Sequence, residues 1–246
     1  MGRRRPRTTK TGRGALKREE AAGRLRNAPL FTGLADAELE RILSECSESR
    51  WRKGETIEND EGTEWFNIVV EGRVKLVQTD LHTGRRIALF LLGPGDVFDV
   101  LSLLDGQPHL CEAIALDDVT LMRVRMEKAR EWLRKYPDFN ARFLPYIGGL
   151  MRHLERFAEE VVFHETAERL ARLILRHTVK EPDEEGRYPV RMINDLPHEV
   201  LAELIGTVRS VVTSQLQRLK REEMLLRTKG RLAVKNLEEL ARKYAL

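Results

Sequence analysis

The sequence predicts an α+β protein, with an antiparallel β-rich unit in its first half and helices in its second. Three observations carry that expectation. Between Ser49 and Arg125, short apolar runs alternate with period two and glycines separate them. From Phe143 to Val161, apolar residues recur every three or four positions. Beyond Leu196, two helical patterns meet at a glycine and lead into a hairpin pattern.

The chain has 246 residues, 41% hydrophobic and 33% charged, which is enough to bury real cores. No apolar run approaches the ~20 residues of a membrane helix, and the basic N-terminus lacks the apolar segment of a signal peptide. Cys46 and Cys111 are too few for a disulfide framework or a four-thiolate metal site. The expected location is therefore cytoplasmic, with no membrane partner and no metal site. The net charge of +4 is unevenly spread. The first 26 residues carry a net +8, the stretch from Asn27 to Val190 a net −8, and the remainder a net +4. Basic ends around an acidic middle suggest a polyanion that meets the ends only.

Residues 1–24 are rich in Arg, Thr and Gly and read as a basic arm, disordered or ordered on a partner. Short helical patterns follow at Arg24 to Ala28 and Ala35 to Ser44, the latter with Leu39, Ile42 and Leu43 on one face. Strands are expected at Thr56–Glu58, Trp65–Val70, Arg73–Val77, Arg86–Leu91 and Val119–Val124. Gly54, Gly62, Gly72, Gly84, Gly93 and Gly95 fall between them, as tight turns require. Many short strands so punctuated argue for a small barrel or roll spanning 25–136. The next block, 137–164, is helical. Phe143, Ile147, Leu150, Leu154, Phe157 and Val161 form a heptad seam on which two copies can pair, while Pro145 and Gly148-Gly149 predict a kink or late start.

Residues 165–246 form the last unit. After a helix at Thr166 to Thr178 and a polar loop at Pro182 to Gly186, Leu196 to Gly206 reads as a helix with proline in its opening turn and glycine at its end. Gly206 suits the corner of a helix-turn-helix, because glycine alone takes the left-handed conformation without strain. A second helix starts at Arg209. Val212, Leu216 and Leu219 make its buried stripe, and Arg209, Ser210, Thr213, Ser214 and Gln217 face away. A face of Arg, Ser, Thr and Gln with no carboxylate can donate to base edges and phosphates. Together with His198, these residues are the candidate DNA contacts. Leu225 to Val234 reads as a basic hairpin turning at Gly230, a wing whose Lys229 and Arg231 are placed to touch phosphates.

Here the sequence resembles the CRP/FNR transcription regulators. The resemblance rests on Gly54, Gly62, Gly72-Arg73-Val74, Gly95-Asp96-Val97-Phe98, the long central helix, and Leu201-Ala202, Ile205-Gly206 and Arg209 at their spacing. It implies a double-stranded, jelly-roll-like β-roll sensor domain, a dimerisation helix, and a winged helix-turn-helix that binds a pseudo-palindromic site on double-stranded DNA as a homodimer. The family commonly has Glu directly after the Arg and a second Arg four residues on; here Ser210 and Ser214 stand there. The target site should differ accordingly. Val208 also occupies a position often held by a capping Ser or Thr.

Members that bind cyclic nucleotides hold the phosphate and ribose with a Gly-Glu-Leu turn and an Arg-Ser pair. At the matching positions stand Asp99, Val100, His109 and Leu110, and Asp99 is placed to repel a phosphate. Cyclic AMP is therefore not the expected cofactor. An iron–sulfur cluster is not expected either, since the N-terminal segment has no cysteine. Three triggers stay open: another small ligand (haem included, through His109 and Cys111 two apart on one strand face), a protein or redox signal, or control by abundance.

Enzymatic classes find no support. His164-Glu165 and His198-Glu199 begin a zinc-protease pattern, but Glu168 and Ala202 stand where its second His is needed. A cyclic-nucleotide-binding regulatory subunit is the remaining rival, and it needs neither recognition helix nor wing. The expectation is a DNA-binding regulator, an activator in which the acidic roll presents a surface to RNA polymerase.

Overall fold

The computed structural model describes residues 18–58, 62–109, 111–228 and 230–244. Residues 1–17 of the basic arm, Leu110 and Lys229 lie outside the described residues.

Structure begins earlier than the basic composition implied. Helix α1 (Arg18–Leu25) occupies the end of the segment expected to be a disordered arm, and the helix expected at Arg24 to Ala28 is instead its last turn and the bend after it. Ala21, Ala22 and Leu25 of α1 are buried in one core with Leu30, Phe31 and the Leu39, Ile42 and Leu43 stripe of α2 (Asp36–Ser44). Small side chains let α1 lie close to the sheet below, so burial rather than helix propensity holds it.

The β-unit is two four-stranded antiparallel sheets. Strands β1 (Ser47–Trp51), β8 (Val119–Arg125), β3 (Trp65–Glu71) and β6 (Val97–Phe98) form one in that order. Strands β2 (Thr56–Ile57), β7 (Glu112–Ala115), β4 (Val74–Thr79) and β5 (Arg86–Leu92) form the other. Val69, Val74, Leu76, Phe98 and Leu121 fill the roll between them. The first sheet is buried on its outer face too, where Phe66, Ile68, Val70, Met122 and Val124 meet α1, α2 and α4 (Met126–Lys135). That double burial makes Phe66–Val70 a nearly continuous apolar run instead of a strict alternation. Gly72 closes the corner after a register shift between Val69 and Glu71. Its φ is +80°, and a Cβ there would sit 2.6 Å from the Asp118 carbonyl oxygen. His109 and Cys111 are not on a strand as expected; they precede β7. A short helix, α3 (Val100–Asp105), stands before them.

Helix α5 (Pro137–Phe163) runs unbroken past Pro145 and Gly148-Gly149, so the expected late start does not occur. Phe139 and Phe143 anchor its first turns in the core on the outer face of the first sheet, stacked at 5.9 Å. The helix is fastened twice more. Tyr146 accepts from the Val97 N–H at 3.1 Å, and His153 Nε2 donates to the Leu89 carbonyl at 2.9 Å while stacking on Phe90. The first half of the seam expected from spacing is thereby corrected. Phe143 is 1% exposed, and Ile147 and Leu150 pack partly against the same core. The open apolar stripe keeps Leu154 and Val161 of that seam and adds Leu144 and Met151, each one residue on from Phe143 and Leu150.

The C-terminal unit comprises α6 (Thr166–Arg176), β9 (Tyr188–Pro189), α7 (His198–Leu204), α8 (Arg209–Arg221), β10 (Leu225–Thr228), β11 (Arg231–Val234) and α9 (Leu237–Tyr244). Leu170, Ile174, Leu201, Ile205, Val212, Leu216, Leu219 and Val234 share its core, to which Leu116 of the roll also belongs. The roll and this unit meet where α7 lies on β5. Glu203 of α7 pairs with Lys75 and, at 3.7 Å, with Arg86.

Candidate nucleic-acid interface

The corner between α7 and α8 is made by Gly206 at φ +65°, followed by an N–H bond from Thr207 to the Ala202 carbonyl. Val208 precedes α8 in extended conformation and offers no side-chain cap. The Val211 and Val212 N–H groups bond the Val208 carbonyl, while the Arg209 and Ser210 N–H groups have no side-chain cap and sit at the positive end of the helix dipole. Along α8, Val212, Leu216 and Leu219 face inward as the spacing required. Arg209, Ser210, Ser214 and Gln217 are exposed, Arg209 at 69% of its side chain, while Thr213 and His198 are half-buried.

His198 and Thr213 are tied together. The Thr213 hydroxyl donates to the Arg209 carbonyl at 2.9 Å, so it can only accept from His198, whose Nδ1 is 2.8 Å away. His198 Nδ1 therefore carries the proton. Burial, then the nearby Arg227, Arg209 and Lys220, push the imidazole below its ordinary pKa. Those cations also show which basic residues gather round the first turn of α7. Arg227, exposed on β10, is not singled out by the hairpin pattern, which marks only the residues at its tip.

The wing is formed as expected. Thr228 and Arg231 pair across the turn, Gly230 has φ +80°, and Arg231 is exposed. The face of α8 itself holds no carboxylate, but the corner brings Glu199 Oε1 of α7 within 2.9 Å of Arg209 Nη1.

The effector positions lie at one end of the roll. Asp99 is buried at φ +66°, and its carboxylate accepts from Asn67 Nδ2 at 2.7 Å. Asn67 Oδ1 in turn accepts from Arg123 Nε at 2.8 Å, and Arg123 lies 5.0 Å from the centre of the Trp65 ring. Val100 is buried and apolar. A Cβ on Gly62 would touch both the Asp99 carboxylate and His109 Cβ, so these groups leave no slack. The His109 Nδ1 is buried without a hydrogen bond, and burial lowers its pKa against the opposing pull of Asp105. Burial raises the Cys111 thiol, with the Asp99 charge adding to it. Among the described residues, no group of three or more His, Cys, Asp or Glu is placed to hold a metal ion, and no helix is long and apolar enough to cross a membrane.

A sensor-like roll, a long helix with an open stripe and a winged helix-turn-helix define a DNA-binding regulator. Comparison with known proteins gives the family. The cyclic nucleotide-binding domain model matches residues 48–136, and the Crp-like helix-turn-helix domain model matches residues 168–243. The transcriptional regulator SdrP of Thermus thermophilus is 30% identical over 70% of this chain and 82% of its own length. The cyclic AMP receptor protein of the same organism is 29% identical over 88% of this chain and 98% of its own. In structure, CooA of Carboxydothermus hydrogenoformans superposes with a TM-score of 0.69 at 21% identity, covering 83% of this chain and 90% of that one. The chain belongs to the CRP/FNR family of transcription regulators. The named regulators among its relatives are transcriptional regulators.

Proposed function

We propose that the protein acts as a homodimer that binds a pseudo-palindromic promoter site and activates transcription without cyclic AMP. The observation that carries the reading is the α8 face, where Arg209, Ser210, Ser214 and Gln217 stand clear of the C-terminal core. Arg209 can donate two parallel hydrogen bonds to guanine O6 and N7. His198, Arg227 and Arg231 flank it as phosphate contacts, and the sequence adds Lys229 two residues before Arg231.

Pairing of two chains is supported by the open stripe of α5. Leu144, Met151, Leu154 and Val161 recur at spacings of seven, three and seven, the register of a two-helix seam. Independence from cyclic AMP is supported by the buried Asp99–Asn67 hydrogen bond, which spends the polar groups of the roll on one another. The acidic middle of the chain favours contact with RNA polymerase, and hence activation, over a second DNA surface. A DNA-reading regulator works beside the chromosome, in the cytoplasm.

Titrating a selected duplex by fluorescence anisotropy, with and without saturating cyclic AMP and over a range of salt, tests this. The reading expects sequence-specific binding that weakens steeply with salt and ignores the nucleotide. Binding that appears only with cyclic AMP would replace it with a ligand-dependent sensor.

A further inference from the structure

Glu199 lies in the first turn of α7, ten residues before Arg209, and the helix-turn-helix corner brings their charged ends together at 2.9 Å. Both side chains are exposed, 69% for Arg209 and 54% for Glu199. An exposed pair of this kind adds little to folding. Its place is what matters. The contact sits on the face that α8 offers to a groove, beside His198, Arg227 and the uncapped start of α8.

A carboxylate beside that many cations is costly if the face only grips phosphates, because it repels each of them. It is useful if the face reads bases. Arg209 has five N–H donors in a planar fork. Binding Glu199 through Nη1 holds the fork in one orientation and leaves the remaining donors for guanine O6 and N7. The carboxylate itself only accepts hydrogen bonds. It can take one from cytosine N4 or adenine N6, and it meets lone pairs on guanine O6 and thymine O4. The second link across the corner, His198 to Thr213 to the Arg209 carbonyl, fixes the first turn of α7 against the first turn of α8.

We propose that Glu199 is a specificity-determining residue of the DNA interface: it orients Arg209 and selects an amino-bearing base beside the guanine that Arg209 reads. The assignment rests on Arg209 being a base contact. It gives Glu199 two effects that a structural ion pair lacks. Glu199 lowers affinity for random duplex, and it raises discrimination at one position next to the guanine.

Site selection from a random duplex pool with the full chain, as wild type, Glu199→Ala, Glu199→Gln and Arg209→Ala, tests both effects. Circular dichroism first verifies that each variant is folded. Glu199→Ala should bind random duplex several-fold more tightly and lose about tenfold of its discrimination at the neighbouring base. Glu199→Gln should move that preference toward adenine, whose N6 and N7 suit an amide. Unchanged selection by both Glu199 variants, alongside altered selection by Arg209→Ala, would overturn the assignment to Glu199 alone. Unchanged selection by Arg209→Ala would instead remove the reading beneath it.

Discussion

Arg73, at the glycine corner of the roll, donates to Asp195, which lies just ahead of the first helix of the helix-turn-helix, at 2.7 Å. The same guanidinium holds both carboxylate oxygens of Asp117 at 2.7 and 2.8 Å and the Met192 carbonyl. One side chain thus fastens the roll to the reader. Arg73 is only 14% exposed, which leaves its partners without a substitute. With Lys75 on Glu203 and Gly93 against the Met192 side chain, it makes the two halves of the chain a continuous packing unit.

Arg73→Ala should therefore cost roughly 1–3 kcal/mol, less than a fully buried pair because Asp195 is half exposed. Urea unfolding followed separately by a probe in the roll and one in the reader will show whether the cost falls on the join. The expected result is two separated transitions in the variant where the wild type has one.

On α5, Leu154 of the open stripe and Phe143 of the buried side answer substitution in opposite ways. Leu154→Glu should convert the dimer to a folded monomer, since Leu154 is 39% exposed and faces away from the core. Phe143→Ala should instead destabilise each chain by about 3–5 kcal/mol, the cost of removing a buried aromatic ring. Light scattering after size exclusion, combined with thermal melting, separates the two. A dimer that persists in Leu154→Glu would move the interface elsewhere.

His177, half-buried where α6 ends, has its pKa lowered to about 4 by burial, then by Arg176 and by His153. The unfolded chain keeps the ordinary value of 6.5. Between these two values the unfolded state binds the extra proton, so stability falls as pH drops from 6.5 toward 4, by about 3 kcal/mol in full. His153, lowered mainly by burial, acts in the same direction. His177→Gln should melt with a shallower loss between pH 7 and 4; parallel curves for variant and wild type would contradict this.

Parts of this were legible in the sequence because they depend on neighbours in the chain. The strands around Gly72 and the corner at Gly206 are written in local turn chemistry, and Val212, Leu216 and Leu219 are spaced to be buried. What escaped depends on distant packing. Nothing in Arg18–Leu25 announces a helix until Leu30 and Phe31 close over it. The spacing of α5 shows apolar residues on two adjoining faces, and only the fold shows that Phe143 belongs to the buried side and Leu144 to the open side. Glu199 meets Arg209 across a corner, so inspection of either helix alone leaves the pair unseen. At Asp99 the residue substitution was legible, but its buried bond to Asn67, 32 positions away, was not.

The central claim, two α8 helices on one duplex, is tested most directly by spacing. Inverted half-sites can be placed with their centres one helical turn apart, about 10 base pairs, then moved by a further half turn and by a full turn. A dimer of fixed geometry should lose about 100-fold or more in affinity at the half-turn insertion, because only one half-site is then within reach. Affinity that is indifferent to the half-turn insertion would contradict the account.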